Sequence, residues 1–175
     1  IELIVTVDDP ETPANEQHTV VDRVPLAAGR CGYLHVEDGD AYFTIGAAGL
    51  IGRMDIATRD VETFAAGTRP DKFEHEGDLV FVANVTTPTV SVVSLTGGAL
   101  APIPTENPIE PGTMPTGGHR SIRRHGDRLY VPNAFDGSVT VIDITTRTVV
   151  GTLTGMTHPT NIAVAGPSGG STYPR

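Results

Sequence analysis

The sequence predicts an all-β domain built from repeated four-stranded units, and three observations lead to this fold class. The 175-residue chain holds 20 glycines and 14 prolines, which leaves little room for long helices because both residues break helix interiors. Short runs rich in β-branched and aromatic residues alternate with Gly-Asp and Asp-Gly pairs, as in strands joined by tight turns. The same succession of runs and turns recurs at intervals of about 40 residues.

The repeat is clearest from 114 to 153, where turn signals separate four strand-like runs at 115–122, 126–133, 136–143 and 148–151. The stretch from Gly67 repeats this order, a looser copy starts near Tyr33, and a partial copy starts at His158. The copies align on the apolar residues Leu34, Phe73, Ile122 and Ile162, with spacings of 39, 49 and 40 residues.

Local chemistry explains the turns within each copy. Glycine tolerates positive φ and therefore suits a tight hairpin, and Gly-Asp pairs stand between the first and second runs at 39–40, 77–78 and 126–127. Asp136-Gly137 marks the turn between the second and third runs in the same way. The long spacing contains Ala101–Pro111, whose four prolines predict an extended surface loop.

A unit of about 40 residues with four short strands is the blade of a β-propeller. The chain opens with runs that match third and fourth strands and closes with one that matches a first strand, with a second near Thr172-Tyr173. We predict about four blades as part of a larger ring: 27–65, 66–104, 112–154, and a composite blade from 155–175 plus 1–26. The alternatives are a closed four-bladed ring, or a ring completed by a missing segment or a second copy.

Charge and cysteine content restrict the partners. With 21 acidic and 12 basic residues the net charge is −9, so the chain lacks the positive surface that nucleic acid or anionic lipid attracts. No run approaches the about 18 apolar residues of a membrane-spanning helix. One cysteine, Cys31, excludes an internal disulfide. Because the chain starts at Ile1 within a strand-like run, we expect a processed or truncated product that has lost any targeting segment.

Three runs, Leu129–Asn133, Phe81–Asn84 and Gly137–Asp143, resemble the YVTN-type propeller repeat, a Tyr-Val-x-Asn strand followed by a Gly-x-Val-x-Val-Ile-Asp strand. The resemblance covers about 67–165 and implies the propeller fold. Members of this family include surface-layer proteins, exported proteins and the propellers of redox enzymes, so the resemblance implies an extracytoplasmic location, whether periplasmic, cell-surface or secreted. It does not specify an activity.

A second resemblance concerns the stretch Gly32–His35 followed by Arg53–Ile56, which is similar to the d-type haem propeller of periplasmic nitrite reductases. In that family a histidine early in an inner strand ligates the haem iron. The resemblance implies this role for His35. A c-type haem motif, Cys-x-x-Cys-His, does not occur in the sequence.

Arginine and histidine recur where the inner strand of each unit begins. The position four residues before the alignment residue holds Arg30, Arg69, Gly118 and His158, and the next one holds Cys31, Pro70, His119 and Pro159. Inner strands of a propeller converge on its central channel. We therefore predict a polar or anionic ligand, or a protein partner, bound at the channel mouth by Arg30, Arg69, His119, Arg120 and His158. The alternative is that these are solvated loop residues or blade-to-blade hydrogen-bond donors.

Metal binding is the other use of such histidines. No two histidines have the close spacing of a zinc motif, but His119 and His158 could converge from separate blades on copper or zinc. We expect His75 and His125, which lie beside Gly-Asp turns, to be exposed turn residues.

Two further groups of polar residues have both a functional and a structural interpretation. The basic cluster Arg120, Arg123, Arg124 and Arg128 could receive a phosphate, a carboxylate or an acidic partner, or form a solvated face balanced by nearby acids. Asn84 and Asn133 follow matching strands, and we expect their side chains to cap turns.

The sequence holds no nucleophile elbow, phosphate-binding loop or other catalytic motif. Cys31 could act as a nucleophile with His35, but a single cysteine beside an apolar strand is typical of a small buried hydrophobe. We therefore favour a non-catalytic, extracytoplasmic binding or scaffold propeller. The alternative is a redox or metal-handling propeller, an oxidoreductase if it is an enzyme, with His35, His119 and His158 near the channel.

Overall fold

The computed structural model describes residues 2–7, 19–26, 31–108 and 120–164. A hairpin comes first, formed by β1 (Glu2–Val7) and β2 (Thr19–Pro25). Blade A contains β3 (Cys31–Glu37), β4 (Asp40–Ile45), β5 (Leu50–Asp55) and β6 (Val61–Ala65). Blade B contains β7 (Pro70–Glu76), β8 (Leu79–Asn84), β9 (Thr89–Ser94), β10 (Gly98–Ala99) and β11 (Ile103–Pro104). Blade C contains β12 (Arg123–His125), β13 (Arg128–Asn133), β14 (Ser138–Asp143) and β15 (Thr148–Leu153).

Every strand pairing in these sheets is antiparallel, and within blades A and C the strands neighbour one another in chain order. The helix in the described ranges is a single 3-10 turn, Gly46–Ala48. The all-β prediction and the four-stranded unit are therefore confirmed. No helix in the described part of the chain is long and apolar enough to cross a membrane.

The turns follow the predicted chemistry. Gly39, Gly77 and Gly126 adopt φ values of 86°, 56° and 55° between the first and second strands of the three blades. After the third strand of blade C, Asp143 Oδ1 accepts the N–H groups of Thr145 at 2.9 Å and Thr146 at 3.0 Å. These bonds favour the carboxylate and lower the pKa of Asp143, with the Thr146 N–H contributing most.

The hydrophobic cores lie between successive sheets. The core between the hairpin and blade A contains Val24, Ala41, Phe43, Ile45 and Met54. The core between blades A and B contains Tyr42, Ile51, Ala66, Phe73, Val80, Val82 and Val93. The core between blades B and C contains Phe81, Ala83, Val90, Val92, Ile103, Ile122, Leu129, Val131, Ile142 and Ile144. Middle strands therefore bury both faces, which explains why their sequences are apolar at consecutive positions.

The proline-rich insertion differs from the prediction. Its described part, 101–108, is not entirely a surface loop. Within it, β11 pairs with β9 and places Ile103 in the core between blades B and C. Proline is tolerated here because β11 is an edge strand. The surface-loop prediction was therefore wrong at Ile103–Pro104.

Two glycines allow the chain to pass closely from one blade to the next. The N–H of Ala66 bonds to the carbonyl of Gly49 at 2.8 Å, and that of Met156 bonds to the carbonyl of Gly137 at 3.0 Å. Gly137 has φ 62°, and a Cβ added to it would lie 2.3 Å from the Met156 carbonyl oxygen. A side chain at this position would therefore push the departing chain away from blade C.

This close approach predicts that Gly137→Ala destabilises the fold more than Gly126→Ala. Both substitutions place alanine at positive φ, at a cost of about 1 kcal/mol, but only Gly137 has an atom near the added Cβ. We expect a lower urea midpoint for Gly137→Ala than for the Gly126→Ala control. Equal midpoints would show that the linker does not press on this turn.

Candidate functional site

The starting segments of successive blades are hydrogen-bonded to one another. Asp71 of blade B accepts the backbone N–H of Arg120 on Oδ2 at 2.6 Å. The N–H of Ser121 donates in turn to the carbonyl of Thr160 at 3.3 Å. Asp71, Arg120 and Thr160 occupy the same position of the repeat. The structure thus brings together the segments that lead into blades B and C and the segment that follows blade C.

Two predicted channel-mouth residues share an unusual conformation at the start of these segments. Arg69 and His158 are exposed and have φ values of 51° and 46°, although side chains disfavour positive φ. Lys72 lies nearby in the sequence, with its Nζ 5.9 Å from the centre of the Tyr33 ring of blade A. Arg30, at the same repeat position as Arg69, and His119, one position later in the repeat, were also predicted at the channel mouth. Both lie outside the described residues.

Arg120 has a different position from the one predicted. Its side chain is 3% exposed between blades B and C, and burial lowers its pKa to about 9, which leaves it a cation at neutral pH. Its five N–H groups face six acceptors: the carbonyls of Pro132 (3.3 Å), Asn84 (2.9 Å), Thr87 (3.2 Å) and Thr89 (3.1 Å), Thr105 Oγ1 (2.6 Å) and Asn133 Oδ1 (2.8 Å). This matches the alternative of a blade-to-blade donor and argues against a ligand contact by its guanidinium.

The matching asparagines also have a structural role. Asn133 Nδ2 donates to Ser138 Oγ at 3.0 Å and to Thr140 Oγ1 at 2.9 Å, which ties the end of β13 to the start of β14. Asn84 makes the equivalent bonds in blade B. Asn84 Oδ1, however, is buried and has no hydrogen-bond partner in the described ranges. The repeat position that Arg120 occupies in blade C is occupied by Asp71 in blade B, so blade B has no equivalent donor there.

Pairs of opposite charge join the inner strands of successive blades. Arg123 Nη1 lies 3.2 Å from Glu74 Oε1, and Arg124 pairs with Glu76. Arg128, also in the predicted basic cluster, pairs with Asp143 inside blade C. The interpretation of these three arginines as a face balanced by nearby acids fits the contacts better than a phosphate site does.

The pairing between blades A and B uses histidine instead. His75 Nδ1 lies 3.4 Å from Glu37 Oε2, and its ring stacks on Tyr42 with the centroids 4.9 Å apart. Among the residues that the structure describes, His75 Nε2 is buried and has no hydrogen-bond partner. The prediction that His75 is an exposed turn residue was therefore wrong, because the neighbouring blade covers it.

His35, to which the haem resemblance assigns iron ligation, has protein groups around its ring. Its Nε2 lies 3.4 Å from Glu37 Oε2, and the ring meets Phe73 edge-on at 6.4 Å. If His35 held a haem iron through this nitrogen, the imidazole would have to turn away from Glu37. Within the ranges that the structure describes, no group of three or more histidines, cysteines or carboxylates is placed to hold a metal ion.

Cys31 is half-buried and packs against the core between the hairpin and blade A. Burial raises the pKa of its thiol, so the reactive thiolate is disfavoured at neutral pH. This favours the interpretation of Cys31 as a small core residue over that of a nucleophile.

Comparison with solved structures supports the same architecture. The chain is similar to AztD from Citrobacter koseri, with a TM-score of 0.67 and 16% identity over 89% of this chain and 43% of that one. It is similar to dihydro-heme d1 dehydrogenase NirN in complex with DHE, with a TM-score of 0.64 and 12% identity over 87% and 33%. For BamB from Moraxella catarrhalis the values are 0.58 and 18%, over 77% and 38%. No protein-family model and no curated protein sequence matches the chain.

These similarities, together with the stacked four-stranded sheets, show a β-propeller fold. At such low identities they show the fold alone. The chain spans less than half the length of each of these three structures, so it corresponds to an arc of a larger propeller. The more specific YVTN-type resemblance stays a prediction.

Arg120 gives a stability prediction. Arg120→Met leaves the acceptors of two blades unpaired in the protein interior, which we expect to cost about 3 kcal/mol or more. Arg128→Met is the control, since it removes a partly exposed ion pair worth at most about 1 kcal/mol. Urea unfolding at neutral pH measures both values. A similar, small loss for the two variants would contradict the role of Arg120 in joining the blades.

Glu74 gives a pH prediction. Burial raises its pKa above the usual 4.5, although Arg123 opposes the shift. The folded state therefore holds this proton more tightly than the unfolded chain, and the associated stability is lost as pH rises through the folded pKa. The free energy of unfolding of Glu74→Gln, relative to the unmodified chain, should increase between about pH 4 and pH 7. Urea unfolding measures both free energies as a function of pH. A constant difference between Glu74→Gln and the unmodified chain across this range would contradict the prediction.

Proposed function

We propose that this chain is a non-catalytic β-propeller binding domain whose channel mouth receives an anionic group of a small ligand or of a partner protein. Arg69 carries the proposal. Its side chain is exposed, and in the described part of the chain it has no ion pair or side-chain hydrogen bond. In a protein of net charge −9, an exposed arginine that lies three residues before Lys72 and on the same repeat position as His158 offers a local positive charge.

Four other arginines support this assignment by contrast. Arg120, Arg123, Arg124 and Arg128 are each engaged with acceptors of the protein. The first three join neighbouring blades, and Arg128 joins two strands of blade C. Arg69 stands instead on a starting segment, at a strained backbone angle. An arginine there can form the short, charge-assisted hydrogen bonds that carboxylate and phosphate oxygens accept.

An extracytoplasmic location belongs to the same proposal, and the YVTN-type resemblance supports it. The second candidate is a redox or metal-handling propeller with His35, His119 and His158 near the channel, binding haem, copper or zinc. NirN, whose structure is similar to this chain at 12% identity, was solved in complex with DHE, and this complex supports the haem version of the second candidate.

Calorimetric titration with citrate and with inorganic phosphate tests the binding proposal. Arg69→Ala should weaken binding of the anion about tenfold or more, since hydrogen bonds to charged groups contribute about 1.5–3 kcal/mol. His158→Ala should weaken it less. Arg147→Ala is the matched control, because Arg147 is also exposed with positive φ (56°) but lies on the β14–β15 turn.

An equal loss of anion affinity in Arg69→Ala and Arg147→Ala would show that the effect comes from the overall charge of the protein and not from a site at Arg69. Failure of both anions to bind would reject the proposal. The visible spectrum and metal content of the purified protein decide the second candidate. A haem absorption band, or near-stoichiometric copper or zinc that Arg69→Ala leaves unchanged, would favour it over anion binding.

A further inference from the structure

The carbonyl groups on both sides of the Arg69 α-carbon accept hydrogen bonds from the turn between β8 and β9 of blade B. Thr86 Oγ1 donates to the carbonyl of Thr68 at 3.3 Å, and the N–H of Val85 donates to the carbonyl of Arg69 at 3.1 Å. The backbone of a residue has only two soft dihedral angles, φ and ψ, and these two carbonyls report one angle each. One turn of blade B therefore fixes the backbone conformation of the residue that we assign to the anion.

The conformation held in this way is one that arginine disfavours. Arg69 has φ 51°, and an L-residue in this left-handed region brings its Cβ close to the following carbonyl oxygen. If the two bonds were absent, the residue would gain by rotating to negative φ, and this rotation would turn the Cα–Cβ bond. The direction in which the Arg69 side chain leaves the backbone thus depends on the bonds from Val85 and Thr86.

Blade C holds the supporting turn in place. Arg120 Nη1 lies within hydrogen-bond distance of three carbonyls of this turn, those of Asn84 (2.9 Å), Thr87 (3.2 Å) and Thr89 (3.1 Å). Asn84 Nδ2 also donates to Thr89 Oγ1 at 3.1 Å, which ties the two ends of the turn together. The turn that carries Thr86 is therefore anchored by the packing between blades B and C.

Blade A holds the same segment from its other side. The N–H of Ala66 donates to the carbonyl of Gly49 at 2.8 Å, and a Cβ added to Gly49 would lie 2.5 Å from the carbonyl oxygen of Gly67. This close contact leaves the segment no room to move toward blade A. The backbone before Arg69 is thus held between two blades, whereas the Arg69 side chain is exposed to solvent.

We propose that Thr86 is a positioning residue for the anion site: its hydroxyl group, together with the N–H of Val85, keeps Arg69 at positive φ and so directs the guanidinium toward the anion. This inference rests on the proposed function, to which it adds that blade packing forms the site before the anion binds. A donor that is already held in its binding geometry loses less conformational freedom on binding, which increases affinity. Thr86 itself does not contact the anion.

Calorimetric titration with citrate tests the role of the hydroxyl group. Thr86→Val keeps the shape of the side chain but removes the donor, and we expect the citrate dissociation constant to rise about three- to tenfold, as for the loss of one hydrogen bond. Thr86→Ser retains the hydroxyl group and should restore most of the affinity. Thr58→Val is the matched control, because Thr58 Oγ1 also forms a 3.3 Å bond to a backbone group, the N–H of Asp60, but on the β5–β6 turn.

The double variant Arg69→Ala/Thr86→Val shows whether Thr86 acts through Arg69. If it does, the double variant binds citrate no more weakly than Arg69→Ala alone, because residues of one network are not additive in their effects. Losses of affinity that add independently would place Thr86 in direct contact with the anion, or would show an effect unrelated to Arg69, and would overturn the inference.

Urea unfolding separates positioning from a general loss of structure. We expect similar urea midpoints for Thr86→Val and Thr58→Val; a lower midpoint for Thr86→Val, with an affinity that Thr86→Ser does not restore, would overturn the inference. Unchanged citrate affinity in Thr86→Val, while Arg69→Ala still weakens binding, would overturn this inference and leave the binding proposal intact. Failure of the unmodified chain to bind citrate or inorganic phosphate would overturn both.

Discussion

The fold depends on one constraint: each small sheet must bury both of its faces. Blade B satisfies it fully, with Val82 and Val93 packed toward blade A and Phe81 and Val92 packed toward blade C. A sheet of four or five short strands has no core of its own and gains stability only from its neighbours. Apolar residues therefore occupy consecutive strand positions, and polar residues collect at the edges and between the blades.

The polar contacts between the blades follow from the same packing. Once two faces meet, any strand end between them loses water, and its carbonyl groups need donors. Arg120 supplies these donors to blade B, blade C and the insertion together. A cation in this place is tolerated because every N–H faces an acceptor. The buried Arg120 therefore helps to align the blades. A basic residue in this sequence can be assigned to a ligand only after its contacts between blades have been examined.

Local chemistry made the strands and turns predictable. Positive-φ glycines such as Gly39, and the apolar runs that alternate with these turns, depend only on residues that are neighbours in sequence. Ile103 was not predictable, because a single apolar residue among prolines gives no strand pattern. His75 and Arg120 were mispredicted because their surroundings come from another blade. Arg69 and His158 share a repeat position in the sequence, and both have positive φ in the structure. Arg120 lies two positions later in the repeat, but the sequence held no signal that separates its buried side chain from their exposed ones.

In the structure, a comparison of equivalent residues in the repeat separates the exposed basic residues from the buried ones. Equivalent residues experience the same packing, so a position that packs into a core in two blades and is exposed in the third lies on a face that the described residues leave uncovered. Leu34 and Leu153 are such positions at the two ends of the arc. Arg69 differs from them because its equivalent, His158, is exposed too. Exposure that repeats at equivalent positions therefore identifies a surface that blade packing leaves open, and Arg69 and His158 lie on such a surface.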